Sequence, residues 1–143
     1  MCVSSKQKSR LKSIKVYNMN DIRTNLFINE VLNTTNKLVN IDINDVRDLF
    51  QEGEKLHTFD VSVPDNKGNR MQLLMEQIKK CSKCHEPYNR ALVFFFFPEE
   101  RPLLMEEMKP LSEWIETVPE EFMIKWGMAI HPIQMIRAIL ILQ

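Results

Sequence analysis

The sequence predicts an α+β fold: a two-layer sandwich in which a four-stranded mixed sheet carries two packed helices, with a long helix in front of it. Three observations lead there. Residues 91–97, ALVFFFF, form an unbroken apolar run between Arg90 and Pro98, the pattern of a central strand covered on both faces. Residues 56–63 and 121–131 alternate apolar and polar side chains, the period of a half-buried strand. Between these runs lie stretches with apolar residues at helical spacing, and a β-α-β-α-β-β order packs as an α+β sandwich.

The elements follow in order. Residues 1–17 form a basic tail within a segment (residues 1–20) that holds Lys6, Lys8, Arg10, Lys12 and Lys15 and no acid; it reads as a flexible, solvated segment. Residues 20–35, NDIRTNLFINEVLNTT, read as a helix with Ile22, Leu26, Phe27, Val31 and Leu32 on its apolar face and Asn20 or Asp21 as the cap. A loop, 36–42, precedes a short helix, 43–52, that ends before Gly53. In the strand 56–63, Phe59, Val61 and Val63 face one way and Thr58, Asp60 and Ser62 the other. PDNKGN, 64–69, is a turn. Helix 70–83 follows, with Met71, Leu74, Met75, Ile78 and Cys81 as its stripe. After the apolar strand, residues 101–118 carry Leu104, Met108, Leu111, Ile115 and Val118 at helical spacing, and Pro110 must kink or divide that helix. The strands 121–131 and 134–142 are separated by a short turn at Pro132, which predicts an antiparallel hairpin. The domain reading is 1–17 tail, 18–53 helix and loop segment, and 54–143 α+β domain.

Composition narrows the function. Nineteen basic residues balance nineteen acidic ones, so no overall field draws the chain to nucleic acid or a membrane. No stretch is long and apolar enough for a membrane span. The basic N-terminus lacks the apolar core of a secretory signal, and with three cysteines the expectation is a cytoplasmic chain with reduced thiols. CSKCH, with Cys81, Cys84 and His85, matches a c-type haem motif and offers up to three zinc ligands. Zinc usually draws a fourth ligand from a second knuckle, which is absent, and haem attachment usually needs export. The expectation is therefore a helix end with lysines in its last turn, and no metal or other cofactor.

The segment LVNIDINDVRDLF, 38–50, places Asp42 and Asp45 three apart before an apolar-periodic run. Locally this is an N-cap followed by an acid in the first turn. In longer context, KLVNIDINDVRDLF resembles the loop that follows the central helix of FtsZ, the bacterial tubulin relative. That family's loop reads approximately G-x-x-N-x-D-x-x-D-V-R, and Asn40, Asp42, Asp45, Val46 and Arg47 match it in order and spacing. NDIRTNLFINEVLN is similar to the central helix, with Asn20 and Asp21 where the family contacts the guanine base. EFMIKWGMAIHPIQMIRAILIL, with Gly127, resembles the family's closing strands. The sequence departs from the family at Lys37, in place of the glycine, and at Asn44, in place of a small residue.

The resemblance implies a cell-division protein of the FtsZ type. In that family the loop enters the neighbouring subunit's nucleotide pocket, where its acids position the attacking water. The three glycines here, Gly53, Gly68 and Gly127, are never clustered, and about 19 residues precede the helix. A phosphate cradle needs clustered backbone N–H donors. The implied protein is non-enzymatic on its own and docks on or caps an FtsZ-type GTPase filament through Asn40, Asp42, Asp45 and Arg47. Two alternatives stand beside it: a structural or self-associating module with a relic loop, and an in-trans activator supplying Asp42 and Asp45 to a partner GTPase.

Overall fold

A computed structural model describes residues 22–51, 54–66, 68–84 and 87–143. In chain order the elements are α1 (Ile22–Asn33), β1 (Lys37–Val39), α2 (Ile43–Leu49), β2 (His57–Pro64), α3 (Arg70–Cys84), β3 (Arg90–Pro98), a 3-10 turn (Met105–Met108), α4 (Lys109–Thr117), β4 (Met123–His131) and β5 (Met135–Leu142). The sheet is mixed and its strand order is β1-β4-β3-β5-β2. Only β3 and β4 run parallel; the other three pairings are antiparallel.

The apolar run sits where its composition demands. Phe94, Phe95 and Phe97 are fully buried and Phe96 nearly so. Burying a phenylalanine contributes roughly 1.5–3 kcal/mol, so four in a row decide which strand takes the centre. Val93, Phe95 and Phe97 face a core built with Met71, Leu74, Met75 and Ile78 of α3 and Leu111 and Trp114 of α4. Leu92, Phe94 and Phe96 face a second core with Ile28 and Val31 of α1 and Val46 and Leu49 of α2.

The α+β class and the mixed sheet agree with the sequence reading, and three details differ. The sheet has five strands, not four. The extra strand, β1, lies inside the expected loop 36–42; at three residues it is too short to show a period, and it forms because the edge of β4 offers it partners. Helices α1 and α2 pack on the face opposite α3 and α4, adding a third layer to the expected two. The closing strands are not a hairpin. β3 lies between β4 and β5, and the connection 132–134 steps over the end of β3 at Pro98, which pairs with His131. Two strand spacings are about 10 Å, a distance that three linking residues span.

Smaller shifts have local causes. Leu26, expected on the apolar face of α1, is 63% exposed, and Ile28 takes the buried place. Helix α2 ends at Leu49, with Phe50 extended; Gly53, expected to end it, lies outside the described residues. Pro110 divides its segment as expected: the chain makes a 3-10 turn, and Pro110 then sits in the first turn of α4, where its missing N–H costs nothing.

Arg137 of β5 fixes α1 to the sheet. Its guanidinium donates to both oxygens of Asp60, at 2.8 and 2.9 Å, and bridges to Glu30 on α1 while lying over the Phe96 ring.

Candidate functional site

The acidic loop is built from backbone turns and from side chains borrowed from four elements. After α1, Asn36 adopts a left-handed conformation with φ of 57°, which asparagine tolerates better than most residues. The chain then runs as β1 along β4, pairing Lys37 with Ala129 and Val39 with Met128. Ile41 turns inward and is buried. It passes over Gly127 so closely that an added Cβ there would lie 2.8 Å from Ile41 Cγ1, Phe94 Cε2 and the Val39 carbonyl. The glycine in β4 is what lets the loop cross the sheet.

Asp42 is extended and caps α2. Its Oδ1 accepts the Asp45 N–H at 3.0 Å, and Asp45 Oδ2 accepts the Asp42 N–H at 2.9 Å. The two acids form a reciprocal capping box. Lys125 of β4 donates to Asp45 Oδ1 at 3.3 Å. The Lys37 ammonium donates to the Leu32 carbonyl at 3.1 Å and the Ile41 carbonyl at 3.3 Å, tying the end of α1 to the loop. Arg90 of β3 donates to the Leu49 carbonyl at 2.8 Å, closing the far end of α2.

Electrostatics follow from these contacts. The backbone N–H of Asp42 holds the Asp45 carboxyl below its usual range, assisted by Lys125 against a desolvation cost. Burial lowers the Lys37 ammonium, and the nearby Asp42 charge opposes that shift. Asn40, Asp42 and Arg47 are exposed, and Asp45 is partly exposed. The loop therefore presents polar groups of both signs on a backbone fixed from behind.

Of the residues singled out from sequence, Asn40, Asp42, Asp45 and Arg47 are brought together on this loop and the short helix α2, with Asp45 in its first turn and Arg47 in its last. Asn20 and Asp21 lie outside the described residues. Cys81 is half-buried against the α3 core, in keeping with a helix stripe. His85 and the Cys84 side chain lie outside the described residues. Among the described residues, no three His, Cys, Asp or Glu side chains converge as metal ligands, and no helix is long and apolar enough to cross a membrane.

Sequence reading missed the most heavily engaged ion cluster. Arg70, at the start of α3, is 3% exposed. Its Nε and Nη2 donate to the two oxygens of Glu107 at 2.8 and 2.9 Å. Nη1 bridges to Asp65 and donates to the Arg101 carbonyl at 2.7 Å, and Nη2 reaches the Pro102 carbonyl at 3.0 Å. All five N–H groups are engaged, and the guanidinium lies 5.6 Å from the centre of the Phe97 ring. A surface cleft of about 460 Å³ beside it includes Asp65, Glu99 and Arg101, but it opens at the opposite end of the sheet from the acidic loop. Sequence held no signal for this cluster, because its partners come from the turn before α3 and from the segment between β3 and α4, more than 30 positions further along the chain.

Comparison with solved structures agrees with the geometry. The chain superimposes on an FtsZ mutant from M. jannaschii with a TM-score of 0.60 and 18% identity, covering 99% of this chain and 42% of that one. An empty FtsZ dimer from the same organism gives 0.60 and 19%, over 92% of this chain and 43% of that one. TubZ of Bacillus thuringiensis serovar israelensis, in a protofilament, gives 0.59 and 11%, over 94% and 39%. The chain thus has the FtsZ/TubZ C-terminal fold and spans about two fifths of the length of these proteins. No family model matches the sequence, and no curated protein does.

Proposed function

We propose that this chain is a docking partner of FtsZ- or TubZ-type GTPase filaments, presenting loop 40–48 to a subunit's exposed nucleotide face and performing no nucleotide chemistry of its own. One observation supports the reading most. The loop is held from behind by the capping box, by Lys37 and Lys125 and by its close crossing of Gly127, while Asn40, Asp42 and Arg47 are exposed. Preorganisation lowers the ordering cost of association. The fold likeness to proteins solved as a dimer and as a protofilament adds to this. Docking of that kind occupies the face to which the next subunit would add, which is how a cap acts.

A second reading rests on the same capping box. Both carboxylates serve α2, and Asp45 is further engaged by Lys125, which suits a structural module whose loop touches no nucleotide.

Co-sedimentation with FtsZ filaments and phosphate release, measured together, separate the possibilities. Docking and capping require wild type to pellet with filaments and to reduce filament mass. The Asp42→Asn/Asp45→Asn variant should remain folded, because asparagine caps as well as aspartate, yet pellet less. Phosphate release that rises with wild type and not with the variant identifies in-trans activation, since positioned charge is what phosphoryl transfer needs. Wild type that neither pellets nor alters phosphate release leaves the structural module. The isolated 143-residue chain should bind no GTP in equilibrium dialysis; micromolar binding overturns the proposal.

A further inference from the structure

Helices α3 and α4 lie side by side and run the same way. β2 and β3 are both antiparallel to β5, and β4 is parallel to β3, so each helix returns across the sheet in one direction. Lys79 and Lys83 share a groove with Trp114 and Val118, which sets the level of one helix against the other. Both helices bury one stripe in the same core and turn the opposite stripe to solvent. From its N-terminal end, the outer side of α3 carries Glu76, Lys79, Lys80 and Lys83, all exposed. The outer side of α4 carries Lys109, Glu113 and Glu116, and Glu120 follows it, all exposed. One helix reads an acid and then three bases; the other reads a base and then three acids. Among the described residues, these charges do not answer one another within the chain. Lys109 bridges Glu113 at 3.9 Å along α4, and no ion pair engages the other six.

We infer that this helical face pairs with the same face of a second copy, about a two-fold axis parallel to the helices. That axis lays α3 of each copy along α4 of the other, in the same direction. Lys79, Lys80 and Lys83 then meet Glu113, Glu116 and Glu120, Glu76 meets Lys109, and the symmetry makes every contact twice. Laying α3 on α3 would instead set lysine against lysine. The remaining exposed charges do not oppose the match. Glu100, Arg101 and Glu106 precede α4 and come opposite the uncharged Asn69 and Gln72, and Glu121 adds to the acidic end. The groove lies on the axis, so half-buried Tyr88, Val118 and Phe122 of the two copies add apolar area between the charged stripes. The 15-residue α3 is about 22 Å long and two helices are about 20 Å across. Pairing therefore covers roughly 900 Å² over both copies, the size of a transient interface. The pair is closed, because it uses the one face of each copy. It is independent of the acidic loop, since α1 and α2 cover the other face of the sheet.

Sedimentation velocity over a concentration series tests it. Wild type should approach the mass of a dimer, stop there, and dissociate as salt is raised, because exposed charges are screened. K79E/K80E/K83E leaves both helices mainly acidic and E113K/E116K/E120K leaves both basic, so each variant alone should associate at least tenfold more weakly. Mixed together, the two variants should form a one-to-one pair, since each stripe then meets its opposite. All six substitutions in one chain should restore the dimer. Thermal unfolding checks that each variant folds. K79Q/K80Q/K83Q, which places no acid near the C-terminal end of α3, should weaken pairing without reversing any charge. The inference is overturned if wild type is monomeric throughout, whether or not its lysines then retain polyglutamate. It is equally overturned if the mass climbs past a dimer, if the variants of one stripe associate like wild type, or if mixing restores nothing.

Discussion

Two clusters of carboxylates and cations sit at opposite ends of the sheet, and they do different work. At the Arg70 end, one guanidinium with a 4% exposed side chain satisfies Asp65, Glu107 and two carbonyls and is nearly sealed from water. At the acidic-loop end, Asp42 and Asp45 bond mainly to each other's backbone, and their charges stay in reach of solvent. Hydrogen bonding is extensive in both. Burial separates them: charge taken out of water fixes the fold, and charge left at the surface remains available to a partner.

The largest test of that contrast removes the guanidinium. Arg70→Met strands Asp65 and Glu107 and should cost about 3–5 kcal/mol in chemical denaturation, the range for breaking a buried pair from one side. A loss near that of an exposed pair, under about 1 kcal/mol, would erase the distinction between the two ends. Gly127→Ala comes next. The new methyl meets a backbone carbonyl and two packed side chains at 2.8 Å, and overpacking of this kind costs about 1–3 kcal/mol. Because the strain falls between β4 and the loop, hydrogen exchange should quicken at residues 39–46 while α3 stays protected.

How much of this was legible in the sequence depends on distance along the chain. The Phe94–Phe97 strand, the α3 stripe, the break at Pro110 and the Asp42 cap were all readable, because each rests on neighbours within a few positions. The strand order was not. A three-residue connection between β4 and β5 looks like a hairpin until β3 claims the space between them, a choice made by long-range burial. β1 was invisible for the same reason. The third layer was half legible: an apolar run needing cover on both faces requires helices on both, yet α1 and α2 read as a preface to the domain. Of the candidate site, the acids were visible. Lys37, Lys125 and Gly127, which hold them in place, were not seen in that role, since Lys125 and Gly127 approach from β4.

Smaller effects sharpen the contrast. Asp42→Ala should lose about 1 kcal/mol in thermal unfolding, the usual worth of an N-cap, whereas Asp42→Asn should be nearly neutral. Equal losses for both would mean that charge, not capping, holds the loop. Acid titration is the gentlest probe. Asp45 and Glu107 are both held below the ordinary carboxylate range in the folded chain, Asp45 first by the Asp42 N–H and Glu107 first by Arg70. A lowered folded pKa contributes stability that is present above the unfolded value and lost as pH falls toward the folded one. The urea midpoint should therefore decline as pH drops below about 4, and Glu107→Gln should flatten part of that slope.

The step of β4 over β3 has a consequence during synthesis. The centre of the sheet is laid down out of order. Phe94–Phe97 leaves the ribosome well before β5, the strand that pairs with one of its edges, has been made, and β2 waits even longer for the same partner. No two neighbouring strands close a hairpin early, so every ladder joins segments distant in the chain, which slows folding. For that interval a nascent chain displays a sticky, unpaired phenylalanine strand, the kind of surface that chaperones bind and that aggregates when they do not.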